Sequence, residues 1–153
     1  MTETIDTPYP ADEESGAARY VLDAQIGFLL RQAQQRHTAI FARRMIEDVT
    51  PTQWAALAKL AEIGPTSQNL LGRHVAMDAA TIKGVVDRLL ARGYLEAKAD
   101  PADNRRLTIA LTERGADFVA RASSVAVAIT EETLAPLDDG ERAMLLALVA
   151  KLL

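Results

Sequence analysis

The sequence predicts a mainly α-helical chain interrupted once by a small β-hairpin. Three observations carry that expectation. Apolar residues recur at three- and four-residue steps over most of the chain's 153 residues, the signature of helices with one buried face. Thr, Ser or Asp stands just before several of these runs, where a helix N-cap belongs. The period shifts to two in only one place, on either side of Asp100-Pro101-Ala102-Asp103-Asn104.

The elements follow in order. Residues 1–16 hold five acids and no Lys or Arg, with Pro8 and Pro10, and read as a flexible tail. From residue 17, Leu22, Ile26, Leu29, Leu30, Ala33, His37, Ile40 and Phe41 share one helical stripe, and nothing after Gly27 breaks it before about Glu47. Thr50, Pro51 and Gln53 spell a capped start with a capping box. The helix they open turns Trp54, Leu57, Ala58 and Ala61 to one side, and Gly64-Pro65 ends it. Thr66 or Ser67 caps a short helix through Leu70 and Leu71. Asp78 caps another, with Ile82, Val85, Val86, Leu89 and Leu90 as its buried stripe and Gly93 at its C-terminal end. Tyr94 to Ala99 and the alternating Leu107, Ile109 and Leu111 form the hairpin. Thr112 caps a long helix to about Leu134, and Asp138 with Glu141 begins a last one.

Composition narrows the function. The chain is 49% hydrophobic but only 5% aromatic, so Ala, Leu, Val and Ile must build the core. The absence of cysteine excludes disulfides, thiol-oxidation sensing and Cys-based zinc sites, and two histidines are a thin supply for any metal. No cofactor is expected, since there is no Gly-rich phosphate loop or nucleophile motif. No apolar run approaches the roughly 18 residues of a membrane span, and the acidic N-terminus is unlike a secretory signal. The expected location is the cytoplasm. The formal net charge is −4, but all five acids of the tail lie outside the rest, which carries 17 basic and 16 acidic residues. Between Gly64 and Thr112 there are seven basic residues against five acids. That balance permits a nucleic-acid partner without requiring one.

Three short helices followed by a hairpin with basic residues at its tip form a winged helix-turn-helix. The helix opened by Asp78 offers Ala79, Ala80, Thr81, Lys83, Gly84, Asp87 and Arg88 opposite its buried stripe. Small residues there let the helix axis approach the floor of a major groove, where Thr81 and Lys83 could reach base edges. Asp87 reads as a salt-bridge partner. Gly84 weakens the helix; either it makes room for DNA or it is a tolerated weak point. In the hairpin, Asp103 is placed to hold Arg105, with Arg106 beside it, for entry into a minor groove.

At these residues the chain resembles the MarR (multiple antibiotic resistance regulator) family. Thr50-Pro51-Thr52-Gln53-Trp54, Gly64-Pro65, Met77-Asp78-Ala79-Ala80-Thr81, Val86-Asp87-Arg88-Leu89, Arg92-Gly93-Tyr94 and Asp100 to Arg106 before Leu111-Thr112 carry the likeness, over about Val49 to Val119. The resemblance implies N- and C-terminal dimerisation helices (17–47 and 113–153), a DNA-binding lobe over 48–112, and a ligand crevice between the two. It also implies a wing in which Asp103 supports Arg105. Apolar stripes on Val125, Ile129, Leu134, Leu145, Leu148, Val149 and Leu152 exceed what one small domain covers, and two-fold pairing is the commonest way to bury such a surplus.

The expected function is a homodimeric repressor on a palindromic double-stranded operator, derepressed by a small aromatic acid. The same contacts would serve an activator, and a ligand-binding dimer acting through a protein partner is the rival from another class. Arg36, His37, Phe41 and Trp54 are the candidate ligand residues: a weakly basic ring and a guanidinium beside two aromatic faces suit a flat anion. His37 reads equally as a packed core histidine. Gln35-Arg36-His37, with Gln25 and Arg31 upstream, is similar to the branch that controls aromatic-acid breakdown, so hydroxycinnamates, benzoates and hydroxynicotinates are the candidate effectors.

Overall fold

The computed structural model describes residues 19–153; the acidic tail expected over 1–16 lies outside them. The order is α1 (Ile26–Arg44), α2 (Pro51–Ile63), α3 (Gln68–His74), α4 (Ala79–Ala91), β1 (Leu95–Ala99), β2 (Leu107–Leu111), α5 (Glu113–Thr133) and α6 (Asp139–Ala150), with a 3-10 turn at Leu22–Ala24 before α1. This is a winged helix-turn-helix framed by long terminal helices, as the sequence predicts.

Local chemistry explains most boundaries. Thr50 accepts a hydrogen bond from the Gln53 amide while the Gln53 side chain accepts one from the Thr50 amide. Asp138 and Glu141 repeat that box at α6. Ser67, not Thr66, caps α3 by accepting the Leu70 N–H. Thr66 instead exchanges two backbone hydrogen bonds with Ile109, 3.1 and 2.7 Å, which fastens the root of the hairpin to the α2–α3 connection. The strands pair antiparallel from Leu95↔Leu111 to Ala99↔Leu107. Gly93, at φ 74°, supplies the left-handed residue that turns α4 into β1.

Two expectations are corrected. The first helix ends at Arg44 rather than near Glu47: Met45 is extended (φ −65°, ψ 139°) and Glu47 and Asp48 adopt φ 55° and 51°, conformations that no α-helix contains. The buried face of α2 is Gln53, Ala56, Leu57 and Leu60; Trp54 and Ala58 are half-buried and Ala61 is exposed. That rotation opens the Trp54 side of α2 toward α5.

The main core gathers Leu57, Leu60, Leu71, Ile82, Val86, Leu89, Tyr94 and Phe118. A second, smaller cluster joins Ile40 and Phe41 of α1 to Ile129 of α5, with Trp54 packed against it. Of the predicted α1 stripe only Ile40 and Phe41 are buried; Leu22, Ile26, Leu29 and Leu30 are exposed in the single chain.

The lobes meet at Tyr94, which is fully buried. Its hydroxyl donates to the Glu47 carboxylate. The same carboxylate takes Arg121 at 2.6 Å and lies 3.9 Å from Arg114, and Arg92 donates to the Glu47 backbone carbonyl. The left-handed turn at Glu47 is what aims both its groups at this point. On the other side, the Tyr94 carbonyl accepts the Thr112 N–H at 3.0 Å and presses into the space that a Cβ on Gly115 would need. Helix α5 can seat on the hairpin root only because Gly115 has no side chain.

Gly115→Ala should therefore destabilise the fold by about 3 kcal/mol, the upper end of overpacking costs, read as a fall in denaturation midpoint with unchanged m-value. The hydrogen bond from Tyr94, then Arg121, hold the Glu47 carboxyl below its ordinary 4.5. A depressed folded value stabilises the fold above pH 4.5 and is lost as pH falls through and below it. Glu47→Gln should flatten that stretch of the acid stability profile, and an identical wild-type slope would refute the assignment.

Candidate nucleic-acid interface

Helix α4 is placed by its cap and its neighbour. Asp78 Oδ1 accepts the Thr81 N–H at 2.7 Å, and that hydrogen bond holds the Asp78 carboxyl below its ordinary range. A Cβ on Gly72 would stand 3.1 Å from Ile82 Cγ2 and 3.2 Å from the Met77 carbonyl, so α3 crosses α4 at the closest approach its sequence allows. Ile82, Val85, Val86 and Leu89 are buried. Ala79, Ala80, Thr81, Lys83, Asp87 and Arg88 are exposed, with Gly84 half-buried among them. Lys83 Nζ pairs with Asp87 at 2.6 Å, the helix-surface partner expected of Asp87.

The hairpin tip brings Asp103, Arg105 and Arg106 together. Asp103 Oδ1 accepts both the backbone N–H of Arg105 (3.0 Å) and its Nε (3.2 Å). Arg106 Nε lies 3.7 Å from the other oxygen. Asp103 thus holds Arg105 through one main-chain and one Nε contact, which leaves the terminal nitrogens of Arg105 free. Its side chain is 91% exposed, against 33% for Asp103. The turn beneath is closed by Asp100 N–H to Arg106 C=O at 2.8 Å and Arg106 N–H to Asp103 C=O at 2.9 Å. An anchored carboxylate therefore presents a solvated guanidinium on a thin loop, on the same lobe as the polar face of α4. Such a pair of features can engage a polyanion at two points.

The four candidate ligand residues lie around one junction of α1, α2 and α5 but do not share a single wall. Phe41 is buried in the cluster against which Trp54 packs. His37 stands over Phe41, ring centres 6.3 Å apart, and its Nδ1 is 2.9 Å from Thr133 Oγ1. Arg36 donates to the backbone carbonyls of Glu132 and Thr133, a favourable place for a cation at the C-terminal end of α5. Trp54 faces an open cleft of about 430 Å³, bounded by Ala58 and Ala61 of α2 and Val119, Ala126 and Thr130 of α5. Arg43 and Arg44 both pair with Glu132; Arg44, chiefly, holds that carboxyl below its ordinary range.

Sequence reasoning missed this seam, together with Glu47, Arg114 and Arg121. No local signal could have found it, since the partners stand 67 to 97 residues apart. Among the described residues no helix is long and apolar enough to cross a membrane.

Comparison with known proteins fits this geometry. The MarR family profile matches residues 49–107. The chain is 39% identical over 135 residues, 88% of its own length and 85% of the relative's, to the HTH-type transcriptional repressor NicR of Pseudomonas putida. A solved structure of a probable transcriptional regulator from Pseudomonas aeruginosa is 50% identical and superposes with a TM-score of 0.85, over 87% of this chain and all of that one. Bordetella bronchiseptica BpsR, whose DNA binding is regulated by 6-hydroxynicotinic acid, is 36% identical with a TM-score of 0.83, over 88% and 96% of the two chains.

Asp78→Asn should keep the α4 cap, since an amide oxygen accepts the same bond, but lose its acid sensitivity. Wild-type stability contributed here is present above pH 3.8 and falls as the carboxylate protonates below it. Thermal melts at pH 7 and at pH 3 separate the two: near-equal melting at pH 7 and a smaller acid loss in the variant are expected.

Proposed function

The chain belongs to the MarR family of DNA-binding transcription factors, and on that premise we propose that it is a repressor that holds a palindromic operator as a homodimer and leaves it when a small aromatic acid binds. The single observation that carries the DNA reading is the solvated Arg105 guanidinium, fixed by Asp103 on the lobe that exposes Ala79, Ala80, Thr81, Lys83 and Arg88 of α4 around the half-buried Gly84. In this reading α4 enters the major groove, while Arg105 and Arg106 enter the flanking minor groove or hold its phosphates. Residues 48–112 form the DNA-binding lobe.

Dimerisation is supported by what the single chain leaves uncovered. Leu22, Ile26, Leu29 and Leu30 at one terminus, and Met144, Leu145, Leu148 and Leu152 at the other, are all exposed. A two-fold partner would cover both stripes and set two α4 helices about 34 Å apart, one DNA turn, on one face of the duplex.

The effector reading rests on Trp54 beside an open cleft, on His37 and Arg36 at the adjoining seam, and on the likeness to BpsR. A flat acid stacked at Trp54 would compete, through its carboxylate, with the α5 carbonyls that Arg36 now holds. Releasing them loosens the end of α5, which Arg43 and Arg44 still hold through Glu132. Because α5 begins on the hairpin root at Tyr94, its displacement reaches the DNA-binding lobe. The ligand's leverage equals its difference in affinity between the two states.

Binding is tested on the DNA flanking the chain's own gene, over a series of salt concentrations. Arg105→Ala should weaken it on the order of 10-fold and lower the salt slope by about 1 for each phosphate that Arg105 neutralises; unchanged affinity and slope refute the wing's role. Titrating the complex with 6-hydroxynicotinic acid should release the DNA, and His37→Ala should shift that titration to higher concentration. Equal responses would leave His37 a packing residue.

A further inference from the structure

The exposed face of α4 carries two cations in unlike situations. Lys83 is engaged by Asp87 at 2.6 Å. Arg88 has no carboxylate partner among the described residues, and its Nη1 lies 3.9 Å from where a Cβ on Gly84 would stand. Helical side chains lean toward the N-terminus, so residue i+4 covers residue i. Arg88 thus folds back one turn and crosses the helix over the position that has no side chain. Nothing else lies within 4 Å of that Cβ position, so packing within the chain does not call for glycine there. Glycine is also the poorest helix former after proline. An α4 with alanine at this place would be more stable and equally well packed, which leaves the face turned outward as the reason for glycine.

We propose that Gly84 is a specificity-determining residue: it holds open a slot through which Arg88, rooted in the last turn of α4, reaches back toward the base-reading end and pairs with a guanine in each operator half-site. The proposal rests on the operator-binding reading above and adds to it which side chain reads a base and what lets it arrive. A guanidinium pairs with guanine O6 and N7 through two parallel hydrogen bonds. Asp87, already satisfying Lys83, leaves that guanidinium unopposed.

The test selects bound sequences from a random double-stranded DNA pool with the wild-type protein, then measures affinity for every single-base change in the selected half-site. Arg88→Ala should erase the preference at one G·C pair, worth roughly 5- to 150-fold, and leave the salt slope unchanged. Gly84→Leu, which fills the slot with a good helix former, should erase the preference at that same pair although the arginine is still present. If Arg88→Ala weakens all sequences alike and lowers the salt slope, Arg88 holds a phosphate and the proposal falls while the operator reading stands. Full selectivity in Gly84→Leu overturns the role given to glycine. So does a loss of binding to every sequence greater than that of Arg88→Ala, which would make Gly84 a matter of clearance alone. A wild-type protein that selects no sequence defeats both the proposal and the reading beneath it.

Discussion

The structure depends on one constraint, the seating of α5 on the root of the hairpin at Tyr94. A carbonyl pressed against Gly115 on one side and a hydroxyl shared with Glu47 on the other fix three segments at once: the end of the α1–α2 link, the start of β1 and the first turns of α5. Burial raises the Tyr94 pKa, and its hydrogen bond to Glu47 raises it further, so the hydroxyl keeps its proton and its donor role. The arginines around it belong to different elements, Arg92 beyond α4 and Arg114 and Arg121 on α5. Their guanidinium groups lie over the aromatic rings of Tyr94 and Phe118 at 4.7 to 5.9 Å. Charge, close approach and ring packing are therefore concentrated where the long helices join the winged helix-turn-helix.

That concentration orders the chain's basic residues by task. Arg92, Arg114 and Arg121 face inward toward Glu47. Arg36, Arg43 and Arg44 close on the end of α5. Lys83, Arg88, Arg105 and Arg106 remain exposed on the lobe. The near-neutral balance of the sequence hid this division, because net charge counts all of them alike, whereas the first two groups are already held by carboxylates and carbonyls of the chain itself.

What the sequence made legible was what short-range chemistry decides. The caps at Thr50, Asp78, Thr112 and Asp138, the left-handed Gly93 and the change of period at the hairpin all involve residues within a few positions of each other, and they stand where expected. The site was legible to the same depth: Asp103 and Arg105 are two residues apart and do meet. What escaped was set by distance along the chain. Glu47 was read as the last residue of a helix because its partners lie 45 to 74 positions away. The orientation of α2 was misjudged for a related reason, since an Ala-rich helix has a weak stripe and its rotation is chosen by the large residues it meets, here Leu71, Ile82 and Phe118. Arg36 and His37 stand in the sequence as candidate ligand residues, but the carbonyls and hydroxyl they find at Glu132 and Thr133 belong to another helix altogether.

The backbone exchange between Thr66 and Ile109 gives the hairpin a third, one-residue strand at its base and nothing comparable at its tip. The wing is in effect a cantilever, clamped at one end to the turn that carries α3 and α4. The clamped part of the hairpin moves only with that turn. In the operator-binding reading, strain at one of the two proposed contact points is therefore passed in part to the other.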